Sequence, residues 1–449
     1  MRLIQALRVN REVRLALVGA GGKTTTMFRL ARQLDGPVLL SATTHLGVEQ
    51  TVLADRHLAV NSAEQAAKVA FKSNEVMLVT GEEHSDGRTA GLTLDSMNVL
   101  KEYADREGVP LIFEADGSRR LPLKAPADHE PVIPSWTNMV AVVAGLSGLG
   151  NSLDKDHVHR PELFSKISGL PIGGSVGEKP LTTVFRHALG GLKGIPQHAV
   201  RAAILNQADT INRKAAGGMV AMSLLDVYDR ALVASLKPNG DILETQAGFV
   251  EEVYRSFEPV AGVVLAGGES SRYGSPKALL LWQGKPLIRH VVEKAFWAGM
   301  SPVHVVLGAV VEPIKVALAG LPVCFVYNPD WELGQSSSLR VGVKAIPLRT
   351  GAAVFLLADQ PQIPVMLLEK LIELHRQRYN PIIAPRVNGQ RGNPVLFDRA
   401  VFPQLQTIQG DQGGRAVFDR YTAQWLDWYD GRILWDVDTP EDYNRLMTF

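Results

Sequence analysis

At 449 residues, with 46% hydrophobic and 21% charged residues, the chain exceeds one ordinary domain and has a globular rather than a disordered composition. Its formal net charge of +1 excludes attraction of the whole protein to nucleic acid or to an anionic membrane. A single cysteine, Cys324, excludes internal disulfides and multi-cysteine metal centres; its apolar surroundings, LPVCFVY, predict a buried strand thiol.

The first segment, MRLIQALRVNREVRLALVGAGG, has no apolar core followed by a small-residue cleavage site. No run of about 18 apolar residues follows anywhere. The expectation is a soluble cytoplasmic protein with neither nucleic acid nor membrane as partner.

From Arg14 an apolar strand runs into GAGGKTT and then a helical pattern, the context of a phosphate-binding loop whose amides face an anion. Gly19, Gly21, Gly22, Lys23, Thr24 and Thr25 are the candidate nucleotide contacts. Lys23 is suited to the β/γ-phosphates and Thr24 to Mg²⁺. The loop is shorter than a full Walker A sequence and is similar to the GxxGKTT of amide ligases that use ATP. The strands PVLLSAT, EVMLVTG, PLIFEADG and MVAVVAGL follow, alternating with helical stretches. PLIFEADG delivers Glu114 and Asp116 beyond a strand; one of the two is the expected metal carboxylate, with Asp116 preferred. The following Arg119, Arg120 and Lys124 suit either an anion or a solvated loop. LDKDHVHRPELF holds Asp154, Asp156, His157 and His159 at no defensible ligand spacing, so a structured surface loop is expected. DILETQAGFVEEVYRSFEP reads as a helix that closes residues 1–256.

A second strand–glycine–helix start opens at Val260 and begins a second domain over 257–449. In LAGGESSRYGSPK, Leu265 and Ala266 end the strand and Gly267 and Gly268 turn the chain. Backbone amides there can approach a triphosphate, and Arg272 and Lys277 supply positive charge beside it. The strands PVHVVLG, VCFVYN, AAVFLLAD and NPIIAP follow, which predicts parallel βαβ architecture in both halves. FLLADQP carries Asp359 to a strand end, and WDVDTPEDY supplies Asp436 and Asp438 before a helix start at Pro440. Asp359 and Asp438 are the expected Mg²⁺ ligands, with Arg272, Lys277 and Asp359 as the catalytic set.

The second-domain motifs resemble the molybdenum-cofactor nucleotidyltransferases of the MobA-like NTP transferase family. Leu265, Ala266, Gly267, Gly268, Ser270, Arg272, Gly274 and Lys277 match its opening pattern, and Tyr273 departs from the usual Met or Phe. GKPLIRHVV, the DQP at Asp359, GNPVLF and GDQGGR look like its later motifs. The resemblance implies a Rossmann-like nucleotidyltransferase fold. It further implies transfer of CMP from CTP, with GTP as the other candidate, to molybdopterin, with release of pyrophosphate.

GAGGKTT, TTHL, EADGSRRLPLKAP, VAGLSGLG and HRPELF together resemble the YqeC-like family of selenium-dependent hydroxylase accessory proteins. That implies a P-loop-like α/β domain that binds a nucleotide, such as ATP, in an accessory step. Both resemblances lead to maturation of a molybdenum hydroxylase, with the apo-hydroxylase as a possible partner. Fusion would raise the effective concentration of two successive steps. The alternatives are a transferase acting on another phosphate, such as a sugar phosphate, and a carrier or chaperone for the finished cofactor.

Overall fold

The computed structural model describes residues 1–72, 74–237, 252–268, 276–410 and 413–448. The chain divides into two compact units, Met1–Phe257 and Glu258–Phe449.

Among the described residues the first unit is built on a nine-stranded sheet. Its strands are β1 (Arg14–Gly19), β2 (Val38–Ala42), β3 (Arg56–Ala59), β4 (Val76–Thr80), β5 (Leu111–Glu114), β6 (Met139–Gly145), β7 (Val200–Asn206), β8 (Arg230–Ala234) and β9 (Val253–Phe257). Across the sheet they run β9-β8-β7-β6-β1-β5-β2-β4-β3. Every pairing is parallel except that of β8 with β9. Apolar runs such as LALV and MVAVVAG are buried throughout because helices cover both faces of a parallel sheet. The chain leaves β1 towards β2 on one side, returns to β5, and then crosses to β6 on the other. A crevice opens where such a reversal occurs, beyond the strand C-termini. The ends of β1, β2 and β5 therefore deliver the glycine loop, Thr43–His45 and Glu114–Asp116 to one rim.

In the second unit an eight-stranded sheet is formed by β10 (Val260–Ala266), β11 (Val303–Leu307), β12 (Cys324–Tyr327), β13 (Ala352–Leu357), β14 (Ile382–Val387), β15 (Gln390–Arg391), β16 (Val395–Asp398) and β17 (Ala423–Asp427). Its order is β12-β11-β10-β13-β16-β14-β15, with β17 beside β14. Strands β10 to β13 form a parallel Rossmann-like half in the order 3-2-1-4. Strand β16 is antiparallel to both neighbours, so the sheet is mixed rather than purely parallel as the βαβ pattern predicted. The chain returns from β14 to β16 through residues 388–394 alone, too short for a crossover helix, and a short return forces antiparallel pairing. Helices α1 (Leu287–Trp297) and α2 (Val365–Arg378) pack Ile288, Val291, Leu367 and Leu371 on one face of the sheet. Helix α3 (Gln335–Ala345) packs Leu339 and Val343 on the other.

Two further expectations are corrected. The predicted closing helix of the first unit ends instead in strand β9, where Val253 and Phe257 are buried against β8; residues 238–251 lie outside the described ones. The VYRSF pattern supports a half-buried strand once a partner edge is present. Cys324 is exposed, not buried. It lies on β12 at the sheet edge, where one flank has no covering strand, and Phe325 and Tyr327 are exposed with it. Among the described residues, no helix is long and apolar enough to cross a membrane.

Candidate functional site

In the second unit the site forms at the C-terminal ends of β10 and β13. Strand β10 hands the chain to Gly267, where a Cβ would stand 2.5 Å from Ser338 Oγ at the start of α3. Glycine therefore allows the turn to lie against that helix N-terminus. Nearby, Asn328 donates to Ser337 Oγ and Ser338 Oγ (2.8 and 3.0 Å), while Ser336 Oγ is buried with no hydrogen-bond partner among the described residues. Ser270, Arg272 and Gly274 fall within 269–275 and lie outside the described residues.

Lys277 is the hub. Its Nζ lies 2.6 Å from Asp438 Oδ1 and 3.4 Å from Asp359 Oδ2, joining residues far apart in sequence. Burial alone would lower the Lys277 pKa, but the bond to Asp438 and the charge of Asp359 outweigh it and raise it. Asp359 is raised by burial, although 24% of its side-chain surface remains open, and Lys277 offsets only part of the rise. Asp436 is raised by burial and then by the charge of Asp359; it accepts from Gln360 Nε2 at 2.6 Å. Three carboxylates that raise or crowd one another around a single ammonium make a place for cationic charge.

Asp438 is free for this role because the adjoining helix, Pro440–Met447, is capped by Thr439, whose side chain accepts from Asp442 N. Among the described residues no three His, Cys, Asp or Glu side chains complete a metal shell. Two carboxylates completed by substrate phosphates are, however, the usual protein share of a Mg²⁺ site. Towards the GNPVLF and GDQGGR segments, burial and the charge of Arg415 lower the Arg391 pKa, and its guanidinium sits 4.7 Å from the Phe418 ring centroid. Two arginines in mutual repulsion suit an anion between them.

The first unit carries a second candidate site. Gly19, Gly21 and Gly22 have φ of +97°, +78° and +128°, and a Cβ on Gly21 would stand 2.2 Å from Gly145 N. Only glycine fits that approach. Asn206 Nδ2 holds Gly21 O at 2.8 Å. The next helix, Lys23–Gln33, directs first-turn amides that have no intrahelical partner towards the cleft. Lys23 Nζ folds back to Gly19 O (2.7 Å) and Asp116 Oδ1 (3.3 Å).

Asp116 is buried and fully engaged: both oxygens accept from Gly19 N at 3.0–3.1 Å, and Oδ2 pairs with Lys124 at 2.9 Å. Glu114 is the carboxylate that accepts from Thr24 Oγ1. Lys124 continues to Glu130, and Glu130 to Arg160, so an alternating chain of buried charges links the glycine loop to HRPELF. His159, beside this chain, is pushed down to about 4 by burial and the charges of Arg160 and Lys124, and so is neutral at pH 7. His157 pairs locally with Asp154 at 2.8 Å, in the surface loop the sequence suggested.

Sequence reasoning missed Glu130, Asn206, Gln360 and Asn328. Gln360 adjoins Asp359 in DQP and could have been flagged; the others sit at no diagnostic spacing. Glu130 is held below its ordinary range because Arg160 and Lys124 together overcome burial, which by itself would raise it. Its stabilising contribution is present above the ordinary carboxylate pKa and is lost as pH falls through the depressed value. Glu130→Gln is expected to destabilise this unit by about 3 kcal/mol near neutrality. Urea unfolding of the full chain checks this, and the gap from wild type should shrink on acidification.

Residues 262–425 match the model of the MobA-like NTP transferase domain, and residues 15–162 that of the YqeC protein. The uncharacterized protein YqeC of Escherichia coli (strain K12) is 31% identical over 43% of this chain and 75% of its own length. Nicotine blue oxidoreductase of Paenarthrobacter nicotinovorans is 32% identical over 42% of this chain and 96% of its own. The chain belongs to both families. Purine catabolism protein PucB of Bacillus subtilis (strain 168) is 29% identical over 41% of this chain and 94% of its own. The YqeC region covers the glycine loop, Glu114, Asp116, Lys124, Glu130 and Arg160. The MobA-like region covers Lys277 and Asp359, while Asp436 and Asp438 lie beyond its end. The second unit is thus an NTP transferase of the MobA-like family, with its central lysine and strand-end aspartate inside the family region.

Proposed function

We propose that the second unit transfers CMP from CTP to the phosphate of molybdopterin, releasing pyrophosphate, as a step in maturing a molybdenum hydroxylase. The observation that carries this reading is the bridging of Asp359 and Asp438 by Lys277 beside the glycine turn. An acceptor phosphate oxygen attacks the α-phosphorus, the bond to the β-phosphate oxygen breaks, and pyrophosphate leaves with the electron pair. No covalent intermediate on the protein is required; alignment and charge neutralisation suffice. Asp359 and Asp438 would hold Mg²⁺, which when bound offsets phosphate charge. Lys277 neutralises the phosphates, the Gly267–Gly268 amides receive them, and Arg272 adds a further cation. Arg391 and Arg415 suit the acceptor phosphate.

The pairing of a MobA-like unit with a YqeC unit, and the likeness to a purine catabolism protein, support the hydroxylase context. Incubating the full chain with CTP or GTP, Mg²⁺ and molybdopterin or sugar phosphates tests the choice by pyrophosphate release. Release with CTP and molybdopterin is expected. Release only with a sugar phosphate would sink the acceptor assignment.

For the first unit we propose binding of ATP by the loop Gly19–Thr25, with Lys23 released from Asp116 to meet the β/γ-phosphates. Thr24, backed by Glu114, would contact Mg²⁺. Asp116, the carboxylate the sequence favoured for the metal, accepts from Gly19 N and pairs with Lys124. Transfer of the finished cofactor to an apo-hydroxylase is a role compatible with this unit.

A further inference from the structure

We propose that the first unit's cleft binds a second ligand alongside the nucleotide, through an oxyanion (phosphate or carboxylate) received by Arg119 in the turn that follows Asp116. The proposal extends the nucleotide reading of this unit and rests on it.

The cleft encloses about 950 Å³, at the upper end of the roughly 300–1,000 Å³ usual for a site taking one small molecule. The glycine loop, Thr24 and Glu114 occupy one part of its lining; Arg88, Arg119, Arg120, His159 and Arg160 belong to the remainder. Most charges there are already matched. Lys23 pairs with Asp116, Arg120 with Glu49, and Arg160 with Glu130. The Arg88 and Arg119 side chains make no hydrogen bond or ion pair with any described residue, which leaves two positive charges facing the cleft uncompensated. An exposed arginine alone would mean little.

The backbone supplies the second observation. Arg119, Arg120 and Arg160 have φ of +50°, +62° and +65°, and Gln207, which also lines the cleft, has +62°. They are four of the eight non-glycine residues with positive φ among the described residues. A side chain with a Cβ is strained in that region, and such strain gathers where a side chain must be aimed. Nothing in the fold requires arginine at 119, since glycine would make the same turn without strain. What arginine adds is a planar fork that meets an oxyanion with two hydrogen bonds. The ion-pair chain Arg160–Glu130–Lys124–Asp116–Lys23 runs from the HRPELF segment along the cleft to the glycine loop, so both ligands would feel one electrostatic unit.

The test uses the full chain saturated with Mg²⁺ and a non-hydrolysable ATP analogue, titrated calorimetrically with inorganic phosphate and, separately, with malonate. At least one oxyanion is expected to bind, and Arg119→Gly to weaken it tenfold or more with Tm unchanged or raised. Binding of phosphate alone identifies a phosphorylated ligand, and of malonate alone a carboxylate. If neither binds, or Arg119→Gly binds both as wild type does, the proposal is overturned. Should Arg119→Gly lower the Tm, Arg119→Gln decides: weakened binding by that folded variant supports the proposal, and wild-type binding overturns it. Repeating the titration without nucleotide separates failure of this subsite from failure of the nucleotide reading, which Lys23→Ala reports. Any phosphate taken up by the second unit is common to all variants and cancels.

Discussion

Asp359→Asn is expected to reduce pyrophosphate release from CTP by about 10³-fold while the full chain keeps its fold and Tm. The substitution conserves size and leaves Lys277 paired with Asp438 at 2.6 Å, so little structural damage should follow. What it removes is negative charge at the end of β13, where a divalent cation and the nucleotide phosphates are to be held. The loss of one well-placed electrostatic group in such a site commonly costs 10²–10³ in rate, and a metal ligand at least as much. Burial raises the Asp359 pKa, so activity should fall on acidification at a pH above the usual carboxylate range. A steady-state pH profile checks the limb, and the variant's rate at its plateau checks the magnitude. Wild-type rate in Asp359→Asn would remove this carboxylate from the chemistry, whatever the acceptor proves to be.

Lys23→Ala is expected to weaken binding of the ATP analogue to the first unit by about 10²-fold. Titration of the full chain should then lose one class of nucleotide site and keep the other. Lys23 is the one loop cation aimed back at the glycine turn, and it can swing from Gly19 O to a phosphate without moving the backbone. A charge-assisted contact of this kind contributes about 1.5–3 kcal/mol. Its removal also leaves Asp116 and Glu114 with less compensation in a buried place. Asp116 keeps Lys124 and the Gly19 amide, so the loop should hold. A modest Tm loss with both site classes intact would refute the phosphate-loop reading. Retention of the Tm with one class missing is the expected pattern.

The features legible from sequence were those set by local chain geometry. An apolar run, then glycines, then a helical pattern is a strand–turn–helix whatever surrounds it, so the loops at Gly19 and Gly267 could be found directly. A strand that ends in a carboxylate presents it beyond the sheet edge, which made Asp359, Glu114 and Asp116 visible as candidates. The DQP motif and the opening pattern around Lys277 carried the family likeness for the same reason.

Only the tertiary structure decided which charged groups meet. Lys277 and Asp438 are 161 residues apart, and no periodicity records that a lysine after one strand will bond an aspartate before the last helix. Glu114 rather than Asp116 meets Thr24: Glu114 ends β5 beside Leu17 of β1, whereas Asp116 lies beyond the strand and accepts from the Gly19 amide. Glu130 has meaning only once Lys124 and Arg160 flank it. Val253–Phe257 becomes a strand because β8 offers an edge, and Cys324 is exposed because β12 lies at one. Local pattern fixes what a segment prefers; burial and long-range pairing decide what it touches.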